Sequence, residues 1–233
     1  MPAKKKMSFD LNNITKWSDL FYIDFEISIG LDASRKMISM QNESYELIHQ
    51  ELLNKIKATK QENGNMDEND LEAYLGHLYG IEEHTMSELN RILTYNQISG
   101  IFSFFENKLK LVCEKLQESF NLEIIVKSNS VILKYWSSLL PFLEEERPYI
   151  ERLFTPIINR YTVRNVVCHQ NCIADQKQFE QFRHEKSITF NDFENKYYII
   201  DIQQEFVSTL LDQVMLFLEQ LLKAIKLKTN QLL

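Results

Sequence analysis

Arg164, Asn165 and His169 fall within one short run, Arg164-Asn165-Val166-Val167-Cys168-His169. Side chains of these types suffice for one kind of chemistry, the scission of RNA by its own 2′-hydroxyl. An arginine is a permanent cation whose planar fork can hold two phosphate oxygens at once. A histidine is the side chain that most readily gives or takes a proton near neutrality. The bare pairing is weakly specific. With five His and seven Arg in 233 residues, a gap of four to six residues arises by chance roughly 0.45 times. An asparagine directly after the arginine lowers that expectation to roughly 0.03, since 18 of the 233 residues are Asn. Each side chain also has a plainer use. Arg164 could serve a surface ion pair, and His169 could sit at a helix end favoured by the helix dipole.

Beyond these residues, RNVVCHQN (164–171) resembles the R-x4-6-H motif of HEPN domains, the all-helical domains of many prokaryotic ribonucleases and toxins. The flanks agree. ISGIFSFFENKLKLVCEKL (98–116) is similar to the helix that carries an acidic residue in these domains. Downstream, a polar stretch leads through NKYYIID into a final amphipathic helix, as in the family. The resemblance covers about residues 96–228. Residues 1–95 carry no such likeness. Cys172 stands where many members have glycine, three residues after the histidine, so the turn there must form without one.

The resemblance implies a metal-independent endoribonuclease without a cofactor. Arg164 would stabilise charge on the phosphorane oxygens, and His169 would act as general acid or base. Asn165 would orient that pair or bond a phosphate oxygen. Glu106, in the FFENKL run, is the candidate acidic helper, with a solvated place beside Lys110 as its plainer use. Gln170 and Asn171 are candidate substrate contacts. On an ideal helix, residues five apart point about 140° away from each other. Arg164 and His169 therefore need either a disturbed helix or a second surface to complete the site. In the family that surface is a second copy, which makes a two-fold homodimer with both motifs facing one cleft. The implied role is a toxin or defence effector acting on RNA, with an antitoxin protein as a further partner. Two other readings stay open. One is a non-catalytic HEPN-like dimer that binds a nucleotide, RNA or a protein. The other is a helical adaptor with an accidental motif.

The elements that must position these residues are mostly helical. Five Gly and four Pro leave few obligatory breaks. Thr15 or Ser18 is expected to cap a helix from about 17 towards 60. Within it, FYIDFEISIG (21–30) alternates like a strand, yet Leu20, Ile23, Ile27 and Leu31 make a helical stripe, and helix is expected. QENGNMDEND (61–70) reads as a loop. Asp70 then caps a long helix that Gly80 and Gly100 would break or kink. NLEIIVKS (121–128) is a strand or an irregular link. A helix over 129–140 is expected to end near Pro141. Glu144, Glu145 and Glu146 suit the N-terminus of the next helix, about 147–170, which carries the motif. SITFNDFENKYYII suggests a small hairpin. Asp201 and Gln204 have capping-box spacing before a final helix to about 228. That helix has a stripe through Val207, Leu210, Leu211, Val214, Phe217, Leu218, Leu221 and Ile225. The expected fold is all-α: an antiparallel helical bundle over 96–233 preceded by a helical region over 1–95.

Composition narrows the classes. Hydrophobic content of 44% fits a folded globular chain. No apolar run approaches the roughly 18 residues of a membrane span. MPAKKKMSFD has the charge of a signal peptide without the apolar stretch behind it, so the chain is expected in the cytoplasm. Its three lysines read as a solvated terminus or a basic arm for RNA. Three cysteines fit a reducing compartment. Cys168, His169 and Cys172 lack a standard zinc spacing, and a fourth ligand would have to be His184 or something remote, so no metal is expected. His49 and His77 show no partner at ligand spacing, and His84, in the run Glu82-Glu83-His84, reads as a surface histidine. The net charge of −7 opposes broad nucleic-acid binding and leaves room for a local basic cleft.

Overall fold

The computed structural model describes residues 11–124, 130–194 and 196–232. Among these the chain is mostly helical, so the all-α expectation is met. The order is α1 (Leu11–Glu62), α2 (Glu68–Phe120), α3 (Val131–Leu143), a 3-10 turn (Glu144–Glu146), α4 (Arg147–His169), β1 (Ile173–Ala174), α5 (Gln176–Phe182), β2 (Ile188–Asp192), β3 (Tyr198–Ile202) and α6 (Gln204–Leu232). Lys4, Lys5 and Lys6, and residues 125–128 of the 121–128 segment, lie outside the described residues. Residues 121–124 form an irregular link. The chain divides into two compact units, and α1 and α2 each contribute to both. One holds residues up to Asp32, Ile101–Tyr161 and those from Leu210 on. The other holds Ala33–Gly100 and Thr162–Thr209.

In the first unit an aromatic cluster joins four helices. Phe105 of α2 meets Phe217 of α6 edge-on at 5.4 Å, and Trp136 of α3 stacks on Phe154 of α4 at 4.3 Å. Phe154 also touches Phe105 and Phe217. Such pairs add about 0.5–1.5 kcal/mol each beyond their burial. The contacts fix direction. Phe105 pairs with Phe154 and Phe102 with Tyr161, so α2 and α4 run antiparallel. Phe154 pairs with Phe217 and Arg160 with Gln213, so α4 and α6 do too. The apolar stripe expected on the last helix is buried throughout its length. The ambiguous 21–30 segment is helical. Ile23, Ile27 and Leu31, spaced at four, are buried, whereas Phe25 and Ile29, which alternation would have buried, are exposed. Helical spacing wins because one stripe can face the core and alternate residues on a helix cannot. Gly30 allows α1 to press against α2, since a Cβ there would lie 2.4 Å from Phe104 Cε2.

The second unit is built on a helical hairpin. Thr59 and Tyr79 share a 2.7 Å hydroxyl bond, and Gln97 donates to Asn42 at 2.9 Å, so α1 and α2 run antiparallel there. Leu52, Leu75 and Met86 are buried along this hairpin. The expected loop shrinks to the residues around Gly64, and Asp67, not Asp70, caps α2 by accepting from the Asn69 N–H at 3.0 Å. Gly80 and Gly100 do not break α2. Glycine costs only about 1 kcal/mol in a helix interior, which a 53-residue helix with packed neighbours absorbs. The unit also holds a three-stranded antiparallel sheet in the order β1-β3-β2. The expected hairpin is β2–β3, with Phe190 opposite Ile200.

Four boundaries differ from those expected. α1 starts at Leu11, so Thr15 and Ser18 lie inside it. Pro141 sits within α3, which continues to Leu143 and stops where Glu144 turns to φ 42. α5 is an unforeseen helix in the polar stretch, opened by a capping box between Asp175 and Gln178. Asp201 pairs in β3 opposite Thr189, and the Gln204 amide bonds Thr94 and Asn42 rather than a helix cap.

Candidate active site

The motif occupies the end of α4. Val163, Val166 and Val167 are buried and anchor the last turns. Their spacing of three and four leaves Arg164 and Asn165 half-buried at the edge and turns Cys168, His169, Gln170 and Asn171 outward. The helix then stops sharply. The N–H groups of Gln170 and Cys172 both donate to Val166 O, at 3.1 and 3.2 Å. The latter bond spans six residues, one more than the Schellman bond, and like it needs a left-handed residue just past the helix. Asn171 takes that role with φ 50, and Cys172 follows at φ 66. Asn tolerates this region better than most residues; for Cys it costs roughly 1–2 kcal/mol. The turn therefore has left-handed geometry at the very position where the sequence lacks the glycine. It is pinned from both sides: Ile173 N–H donates to Gln170 O at 2.9 Å and Ile200 N–H to Cys172 O at 2.9 Å.

α4 stays helical through His169, yet the motif side chains meet within one chain. Arg164 Nη1 lies 3.3 Å from His169 Nε2 and donates to Asn165 Oδ1 at 3.2 Å. The 140° angle is set at the helix axis, and the long arginine side chain spans it to reach the ring on the helix's last residue. A guanidinium cannot accept a hydrogen bond. A hydrogen bond between the two therefore takes Nε2 as its acceptor. One exposed imidazole, one fixed cation and one amide thus converge on a solvent-facing helix end. This is a set able to bind a phosphate and move a proton beside it.

The other candidate residues are placed differently. Gln170 and Asn171 are exposed in the turn. Glu106 belongs to the first unit, where Tyr161 donates to its Oε1 at 3.1 Å. Lys110, its supposed neighbour, pairs with Glu114 at 3.6 Å.

The structure adds support residues that no motif announced. Ser99 Oγ lies 3.0 Å from Cys168 Sγ, tying the last turn of α4 to α2. Cys172 is buried beside Tyr95 and Arg91. Burial, and then the neighbouring thiol, push the Tyr95 hydroxyl well above its usual range. Burial likewise raises the Cys172 thiol, which keeps it protonated and inert at neutral pH. Arg91 is held by Glu88, whose hydrogen bond raises the guanidinium further. The signal available for this cluster was the four-residue spacing of Arg91 and Tyr95, which by itself says nothing of Cys172. Among the described residues no group of three or more His, Cys, Asp or Glu side chains is placed to hold a metal ion. In comparisons with known proteins, no family model, no curated protein and no solved structure matches the chain.

Proposed function

We propose that this chain is a metal-independent endoribonuclease of HEPN type that acts as a two-fold dimer. The observation that carries the reading is the convergence of Arg164, Asn165 and His169 at one exposed helix end. In the proposed reaction the ribose 2′-oxygen bonds to the adjacent phosphorus and the P–O5′ bond breaks. A base takes the 2′-hydroxyl proton, and an acid protonates the departing 5′-oxygen. His169 with a free Nε2 lone pair fits the base, and the His169 of a second copy, protonated, supplies the acid. A phosphate that takes over the Arg164 guanidinium also frees Nε2, so substrate binding and activation of the base are one event. Arg164 then faces the charge that grows on the phosphorane oxygens, and Asn165 holds the guanidinium in place. Gln170 and Asn171 flank the phosphate. In the cell the enzyme would be a toxin or defence effector, restrained by an antitoxin protein.

The test is cleavage of single-stranded RNA in EDTA, with the ends identified. The expected products carry 2′,3′-cyclic phosphate and 5′-hydroxyl ends. DNA of the same sequence resists, since it lacks the nucleophile. A strict need for a divalent ion, or 3′-hydroxyl products, refutes the scheme. Tight RNA binding without cleavage supports instead the non-catalytic binding reading.

A further inference from the structure

The hairpin of α1 and α2 in the second unit leaves large apolar side chains in water. On α1, Met40 is 66% and Leu47 69% exposed, with Met37 and Ile48 near half exposed. Beside them opens a groove of about 620 Å³ lined by Met37, Met40, Ile48 and Leu89, and on the other flank of Leu47 a second of about 540 Å³. Lys36, Met40, Ser44, Leu47 and Glu51 fall within about 80° of the helix circumference, given 3.6 residues per turn. They form one crest between the two grooves.

We infer that this crest is the interface between two copies of the chain, with α1 pairing antiparallel to its counterpart across a two-fold axis. The pattern is self-complementary about the midpoint between Glu43 and Ser44. An antiparallel partner sets Met40 opposite Leu47 and Lys36 opposite Glu51, each twice by symmetry. A parallel partner would set Lys36 beside Lys36 and Glu51 beside Glu51. Glu43, near the axis, is drawn aside by Ser39, which donates to its Oε1 at 2.8 Å. Area points the same way. The exposed portions of Met37, Met40, Leu47, Ile48 and Leu89 amount to on the order of 400 Å² of apolar surface per copy. That is comparable to the largest apolar patch on an ordinary monomer, a kind of patch that is often functional. A standard interface buries about 800 Å² per partner, a little over half of it apolar, so the crest supplies the apolar share. This inference does not depend on the ribonuclease reading. It gives the α1–α2 hairpin the role of a dimerisation arm.

Sedimentation equilibrium of the full chain tests it. The wild type is expected to be a dimer at micromolar concentration. The double variant Met40→Glu/Leu47→Glu, both exposed and so compatible with folding, should raise the dimer dissociation constant at least about 100-fold at an unchanged helical content. Lys36→Glu and Glu51→Lys should each raise it about three- to tenfold, and the two together should return it to near the wild-type value. A monomeric wild type overturns the proposal and leaves the grooves to another occupant. So does a dimer that ignores Met40→Glu/Leu47→Glu, or a charge swap that fails to rescue. A monomeric wild type also removes the two-fold catalytic scheme, whereas a dimer that ignores Met40→Glu/Leu47→Glu removes this interface alone and loss of cleavage alone leaves it standing.

Discussion

Replacing His169 by alanine separates chemistry from structure most cleanly. The ring is exposed and its hydrogen bond is to Arg164 Nη1 at 3.3 Å. Removing an exposed side chain of this kind changes stability by about 0.5 kcal/mol or less, which for a domain of this size shifts Tm by roughly 2 °C at most. The catalytic effect is far larger. A general acid–base group contributes about 10²–10⁴-fold, or roughly 2.7–5.4 kcal/mol of barrier. If the two histidines of a dimer act as base and acid, both are lost at once and the upper part of the range applies. RNA affinity should not fall, since Arg164 is kept and its Nη1 is released from the ring. The assay is single-turnover cleavage of a labelled single-stranded RNA in EDTA at saturating protein, with thermal unfolding and solution mass measured on the same samples. The expected result is kcat lowered at least about 100-fold with KM, Tm and mass unchanged. A folded dimeric variant that cleaves within about threefold of the wild type would remove His169 from the reaction.

Arg164→Lys should be nearly as inactive as Arg164→Ala in the same assay, because an ammonium lacks the planar fork that can hold two phosphate oxygens at once; recovery of more than about a tenth of wild-type activity would contradict that role. Asn171→Gly should keep or slightly raise Tm, since φ 50 suits glycine, whereas Asn171→Val should cost roughly 1–2 kcal/mol. If Asn171 also touches RNA, the glycine variant loses affinity while staying folded. Gly76→Ala and Gly80→Ala, with open space around their Cα atoms, should each stabilise α2 by about 0.4–1 kcal/mol. Gly30→Ala should instead lower Tm, because its Cβ would meet the Phe104 ring at 2.4 Å and overpacking costs about 1–3 kcal/mol; equal behaviour of the three glycines in thermal melts would refute the α1–α2 contact.

Much of the fold was legible along the chain. The stripe of α6 repeats at helical spacing over eight apolar residues, and every one of them is buried. Ile23, Ile27 and Leu31 settled their segment by the same rule, because burial on a helix follows the 3.6-residue period whatever the tertiary partners are. The β2–β3 hairpin followed from its β-branched and aromatic runs. The types and spacing of Arg164, Asn165 and His169 were likewise enough to name the chemistry they could do. Other features depended on partners that local sequence does not contain. Glycines inside α2 and Pro141 inside α3 read as stops, yet packing along the helix outweighs a penalty of about 1 kcal/mol for glycine and about 3 kcal/mol for proline. Gln204 looked like a capping residue and is spent on Thr94 and Asn42, more than a hundred residues away. Cys172 looked like a defect in a turn, and its left-handed backbone is held by Val166 on one side and Ile200 on the other. The meeting of Arg164 with His169 was hidden as well. A helical wheel places Cα atoms, and the reach of a long side chain past the end of its helix is decided only where the chain turns in three dimensions.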